Sequence, residues 1–191
     1  FCRGRIINKL EEDLGQYDEN KEIFWASGAC FLIRSQVFWK LEGFDNDFFA
    51  HQEEIDLCWR AYNQGYKNLA VGSSKVYHIG GATLPLSAKK VYLNHKNSLN
   101  MILKNVPSKN RFTILAYRLI LDGAIGLFFL FRLKISFTWA IIRANFSFYK
   151  RFKSVKLKNN SQIKKDDYFF IKNILFEYYI KRTRYFTDLD K

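Results

Sequence analysis

Glu53-Glu54-Ile55-Asp56-Leu57-Cys58-Trp59-Arg60 sets three carboxylates within four positions, between the turn-like Gly43-Phe44-Asp45-Asn46-Asp47-Phe48-Phe49 and the helix-ending Gly65. The pattern predicts a helix over about residues 52–64. At 3.6 residues per turn, Glu53, Asp56, Leu57 and Arg60 share one face. Ile55, Cys58, Trp59 and Tyr62 lie roughly opposite and can pack inward, and Glu54 sits at the edge between the two faces. The helix dipole favours acids in a first turn, and Asp56 four residues before Arg60 is well oriented for an ion pair. Two adjacent glutamates followed by a third acid do more than that. Like charges so close push at least one pKa upward, which suits a general base. A merely solvated acidic turn fits the same spacing.

Outward from this stretch, Ile23 to Arg34 is mostly apolar and β-prone and predicts a buried strand. Within it, Ser27-Gly28-Ala29 allows close approach of a ligand or of another backbone, or serves packing alone. Ser35 is placed to cap a short helix, Gln36 to Glu42, that Gly43 ends. Downstream, Lys67 to Val71 and Lys75 to Ile79 read as short strands, the second delivering His78 to Gly80-Gly81-Ala82-Thr83. Backbone groups in such a turn are able to reach a phosphate, although a lone histidine is more often a hydrogen-bonded structural residue.

The second half of the chain has a different character. Residues 1–81 hold 9 Lys/Arg against 12 Asp/Glu, a net of −3, and residues 82–191 hold 22 against 6, a net of +16. Ser87 caps a helix running to Asn105, with Lys96-Asn97 in its middle and Pro107 beyond its end. Thr113 to Phe131 is about long enough to cross a membrane, but Arg118 and Asp122 are costly in lipid, so an in-plane amphipathic helix is expected. Ile135 to Phe152 repeats the mixture of aromatic, aliphatic and basic residues found in helices that lie among headgroups. A helical hairpin packed on its own domain fits equally well, and the two are compatible. Residues 153–167 read as a linker and Tyr168 to Tyr185 as a last amphipathic helix.

A length of 191 residues with 48% apolar and 18% aromatic content supports a real core and excludes a disordered chain. Cys2, Cys30 and Cys58 show no metal-binding spacing and read as reduced thiols of a cytosolic protein. There is no initiator Met and no signal-peptide pattern, and Phe1 opens in what reads as mid-domain, so a fragment is expected.

Several runs, taken together in order and spacing, resemble the second half of family 2 glycosyltransferases with the GT-A fold. They are Trp25-Ala26-Ser27-Gly28-Ala29-Cys30, Gly43-Phe44-Asp45 with Phe48-Phe49, Glu53 to Arg60, Gly65-Tyr66, and Val76-Tyr77-His78-Ile79-Gly80-Gly81-Ala82-Thr83-Leu84. The chain is most similar to the bacterial rhamnosyltransferase-like branch that builds surface polysaccharides. The resemblance is close over about residues 1–105. It implies an α/β fold in which residues 1–106 are the acceptor-side half of a Rossmann-like GT-A domain. Residues 107–191 would be a basic, membrane-associating helical extension.

By this resemblance the acidic motif of the family falls on Glu53, Glu54, Ile55 and Asp56. Glu54 is then the general base of an inverting transfer from a nucleotide-sugar donor, with Glu53 as the alternative base. Trp25, Ser27, Gly28, Ala29, Asp56, Arg60, Thr83 and Asn97 are the implied substrate-binding positions. His78 is the implied ligand of Mg2+ or Mn2+, completing a site whose Asp-x-Asp ligands are not in this chain. The implied acceptor is an oligosaccharide or a lipid-linked saccharide, and the implied location is peripheral, on the cytoplasmic face of the inner membrane. A non-enzymatic basic module binding anionic membrane or nucleic acid is the rival reading. The acidic first half argues against nucleic acid as a partner. Oligomeric state is not addressed by the sequence.

Overall fold

The computed structural model describes residues 5–6, 9–10, 13–78, 86–152, 176–183, 185 and 188. Its elements begin with β1 (Arg5–Ile6) and β2 (Lys9–Leu10), an antiparallel pair. β3 (Lys21–Ile23), α1 (Ser35–Lys40), α2 (Glu53–Asn63) and β4 (Asn68–Ala70) follow, with β4 antiparallel to β3. Three long helices come next, α3 (Ala88–Asn105), α4 (Ser108–Phe131) and α5 (Ile135–Phe152), and then a π-helical turn at Phe176–Ile180. The linker expected at residues 153–167, and most of the helix expected at Tyr168 to Tyr185, lie outside the described residues.

The strand expected over Ile23 to Arg34 is a strand only at Ile23. Residues 24–34 cross α2 as irregular backbone, held by side chains rather than by a ladder. Asn68 donates its amide to the Phe24 carbonyl at 2.7 Å, and the Phe24 ring stands edge-on to Trp59 and Tyr62. The backbone N–H of Ala26 points at the Cys58 sulfur, 3.5 Å away. Apolar content alone did not distinguish this crossing segment from a strand. Ser35 is the first residue of α1 instead of its cap, and Arg34 in the cap position makes no side-chain bond. Gly43 closes α1 at φ 65°, where an added Cβ would lie 3.2 Å from the Phe38 ring. Residues 75–78 are irregular and exposed, not a strand.

α2 matches its expected span, but its deepest face is the charged one. Asp56 is fully buried and Leu57 nearly so. Arg60 donates through Nε to Asp56 at 2.8 Å, and its two Nη groups reach the carbonyls of Leu41 and Gly43. From α3, the Asn105 amide donates to Asp56 Oδ1 at 2.8 Å, and Lys104 lies 3.0 Å from the same carboxylate while also pairing with Asp45. A buried carboxylate is tolerated only when its lone pairs are met in this way. The face assigned to solvent by periodicity is thus the seam with α3.

α3 is the shared wall of the molecule. Ser87 caps it as expected, accepting from the Lys90 N–H at 3.3 Å. One side clasps the loop ahead of α2, where His51 and Gln52 are both in the left-handed region at φ 71° and 72°. The Asn97 amide donates to the carbonyls of Ala50 at 2.9 Å and His51 at 2.8 Å, and Gln52 donates to the Asn94 carbonyl and Ser98 Oγ. Two consecutive non-glycine residues in this conformation cost on the order of 1 kcal/mol or more each, so the clasp holds a strained turn.

The other side of α3 packs on the helical hairpin. Leu99 and Leu103 meet Leu115 of α4 and Phe148 of α5, and Val91 meets Ala140 and Ile141. These pairings make α3 and α5 parallel and in direct contact, with α4 antiparallel to both. α4 begins five residues before the expected Thr113, because Arg111 is buried and its Nε donates to the Val106 carbonyl at 2.9 Å. Asp122 is fully buried, 2.9 Å from Arg118 Nε and 2.8 Å from His95 Nδ1 on α3. The two charges that argued against lipid are therefore paired with each other.

Asn97→Ala should lower stability by about 2 to 3 kcal/mol, since it removes two backbone-directed bonds from a strained turn. Urea denaturation of parent and variant measures this. A loss below about 0.5 kcal/mol would mean the turn is held elsewhere.

Candidate active site

The first turn of α2 carries Glu53 and Glu54 out of the strained His51-Gln52 turn, and the 27–30 segment folds over it. Gly28 lies against the Glu54 side chain, for a Cβ added there would be 3.5 Å from the Glu54 carboxyl carbon. Four expected site residues, Ser27, Gly28, Ala29 and Glu54, are thereby brought to one place. Ser27, Gly28 and Ala29 are exposed, Trp25 is half-buried behind them, and Glu54 is half-buried beneath the Gly28 turn.

Burial pushes the Glu54 carboxyl above its ordinary range, and the charge of Glu53 adds to the effect; backbone bonds, including one from Gly28, work in the opposite direction. A half-buried carboxylate that resists ionisation is a competent proton acceptor where a hydroxyl can reach it. Beside it, burial and then the charge of Lys90 lower the His51 pKa, against the charge of Glu53, which raises it. Glu53 Oε2 and His51 Nε2 are buried without a hydrogen-bond partner among the described residues. The Cys58 thiol is raised by burial, with the Glu54 charge adding to it, so it is a packing group and not a nucleophile.

The remaining expected site residues are placed otherwise. Asp56 and Arg60 are committed to the α1–α2 turn and to α3. Asn97 is fully buried with its amide on loop carbonyls, and the adjacent Lys96 donates to the Asp47 carbonyl at 3.2 Å. Thr83 lies outside the described residues. His78 is exposed, and among the described residues no three His, Cys, Asp or Glu side chains come together as a metal site. One imidazole does not hold Mg2+ or Mn2+, both of which require a largely oxygen shell, so the described residues do not fit such an ion by themselves. His51 and Lys90 were not read from the sequence. Their only signal was the chain proximity of His51 to the acids.

The chain has partial matches to curated proteins, among them three glycosyltransferases. The chain is 34% identical over 58 residues, 30% of its length and 19% of the relative's, to N-acetylglucosaminyl-diphospho-decaprenol L-rhamnosyltransferase of Mycobacterium tuberculosis. It is 33% identical over 54 residues, 28% of its length and 20% of the relative's, to rhamnosyltransferase WbbL of Escherichia coli. It is 26% identical over 141 residues, 70% of its length and 44% of the relative's, to the low-salt glycan biosynthesis hexosyltransferase Agl10 of Haloferax volcanii. The chain thus spans less than half the length of each of these relatives, all of which are glycosyltransferases by name. No family model and no solved structure matches it.

A carboxyl whose folded pKa is raised loses stability as pH climbs from its unfolded pKa through its folded one, because the folded state resists ionisation. Glu54→Gln removes that loss. The variant should melt higher than the parent at pH 7, with the difference fading below about pH 4, where both side chains are neutral. Equal melting temperatures at pH 7 would place Glu54 in water.

Proposed function

We propose that this chain is the acceptor-side, carboxyl-terminal half of an α/β GT-A (Rossmann-like) glycosyltransferase domain, followed by helices that attach it to a membrane. It serves an inverting transfer from a nucleotide-sugar donor to a saccharide or lipid-linked saccharide acceptor in surface polysaccharide synthesis. The observation that carries this reading is Glu54, half-buried, with a raised pKa, packed against the exposed Ser27-Gly28-Ala29 turn. The three named glycosyltransferases that match the chain support it.

In this scheme Glu54 accepts the proton of an acceptor hydroxyl as that oxygen attacks the anomeric carbon of the donor sugar. The bond to the nucleoside diphosphate breaks on the opposite side, and configuration inverts. Glu53 keeps its neighbour's pKa up. Asp56, Arg60, Lys104 and Asn105 hold the helix that presents both acids, and Asn97 holds the turn that aims it. The donor belongs to a half-domain that these residues do not supply, and the Mg2+ or Mn2+ implied by the resemblance would need ligands besides His78.

In the protein carrying both half-domains, Glu54→Gln should cut turnover at saturating substrates on the order of a hundred- to ten-thousandfold, with donor affinity kept. Glu53→Gln should cost far less. A dead Glu53→Gln beside a near-normal Glu54→Gln would move the base by one residue.

In this reading the helical extension attaches the protein peripherally at the cytoplasmic face of the inner membrane. α4 is long and apolar enough to cross a bilayer, and most of its apolar stretch is unburied. Its inner side, however, packs on α3, which carries Lys89, Lys90, Lys96 and Lys104. α5 is tied back at its far end, where Arg151 pairs with Asp47. An in-plane hairpin lets Ile120, Phe131, Leu133, Ile135 and Phe146, all exposed, enter the lipid while those cations stay wet. Membranes carrying the protein should release much of it on carbonate or high-salt washing. Resistance to both would indicate a true span.

A further inference from the structure

A groove of about 650 Å3 lies between the start of α3, the start of α5 and the ring of Phe49, and the transfer scheme above leaves it without a role. Phe49, Tyr92, Leu93 and Trp139 give it apolar and aromatic walls, and Lys89 and Arg143 supply charge. Among the described residues no carboxylate lines it. Lys89 Nζ stands 4.9 Å from the Phe49 ring centre and the Arg143 guanidinium 5.3 Å from that of Tyr92. Among the described residues neither cation has an acidic partner. Two cations held on aromatic rings and left without carboxylates form a site for an anion.

Position narrows the choice of ligand. One end of the groove opens onto the exposed apolar side of α5, where Trp139, Ile142 and Phe146 follow one another at helical spacing. The other end adjoins the acidic turn, since Phe49 is five residues before Glu54 and Gln52 bonds to α3 at Asn94. Lys89 and Asn94 are separated along α3 by about 7 Å, roughly the length of one sugar residue or a diphosphate. A free anion has no use for the apolar exit, and a neutral apolar ligand none for the cations.

We propose that this groove binds the phosphate-bearing headgroup of a lipid, its chain lying along α5 and the group beyond its phosphate directed at Glu54. The proposal rests on the transfer reading and assigns the place where the acceptor's lipid phosphate sits. Lys89 and Arg143 take the phosphate oxygens, and Trp139 covers the first carbons of the chain.

The test titrates the 191-residue protein by calorimetry with farnesyl diphosphate below its micellar concentration, and with inorganic diphosphate and farnesol. Farnesyl diphosphate should bind well above both of the others. Lys89→Gln with Arg143→Gln should weaken it about tenfold or more, Arg143→Lys should weaken it less, and each variant should keep the parent melting temperature. Trp139→Ala should also weaken it. No binding of farnesyl diphosphate, or binding unchanged in the double variant, overturns the proposal. So does equal binding of inorganic diphosphate, which would define a bare anion site, or of farnesol, which would define an apolar one. If the double variant misfolds, the comparison of Arg143→Lys and Trp139→Ala with the parent decides. Should the lipid fail to bind while Glu54→Gln still abolishes transfer, only the groove assignment falls. Should it bind as expected while Glu54→Gln turns over normally, the groove stands and the transfer reading falls.

Discussion

The carboxylate of Asp56 is the constraint on which the rest depends. It is fully buried, and three side chains converge on it, Arg60 of its own helix and Lys104 and Asn105 of α3, while Arg60 also reaches the Leu41 and Gly43 carbonyls. Removing one partner from such a group is expensive, because the carboxylate left behind stays out of water. The buried acid therefore fixes α2 against α3 more specifically than Leu57 and its apolar neighbours do, since apolar contacts tolerate sliding. The acids of the first turn inherit that fixity.

α3 converts this local lock into a molecular plan. Its polar side, where Ser98 accepts from Gln52 and Asn97 donates to the His51 carbonyl, holds a strained turn in place, and its apolar side is the floor of the hairpin. Such a turn persists only because its surroundings over-determine it. The strain sits next to Glu54, the proposed proton acceptor, where rigidity would have the most value.

Much of this could be read from residue order. The acidic helix, the Ser87 cap and the Ile135–Phe152 helix are local signals, set by spacing, capping chemistry and apolar period, and the structure places them as read. What was not legible is what distant residues decide. Residues 24–34 have strand-like composition but cross a helix, because Asn68, Cys58 and Trp59 hold them there. Asp56 belongs to a polar face by period and to the core by partnership. Asn97 was read toward substrate and is found on loop carbonyls. Arg118 and Asp122 read as a cost until His95, from another helix, is seen beside them. The nearness of Ser27-Gly28-Ala29 to Glu54 came from the order of runs along the chain, whereas His51 and Lys90 needed coordinates.

The fastening of α5 has a further consequence. Its first turns border Phe49 and its last bind Asp47, both in the loop that leads into α2. These contacts add to the packing of Ala140, Ile141 and Phe148 on α3 and keep the helix beside that loop. Under the proposed reading, with the hairpin lying on a bilayer, the height of Glu54 above the lipid would then be a dimension set by the protein. Such a molecule would be a ruler, selecting among acceptors by how far the growing end stands from its anchor, before any sugar is recognised by its hydroxyls.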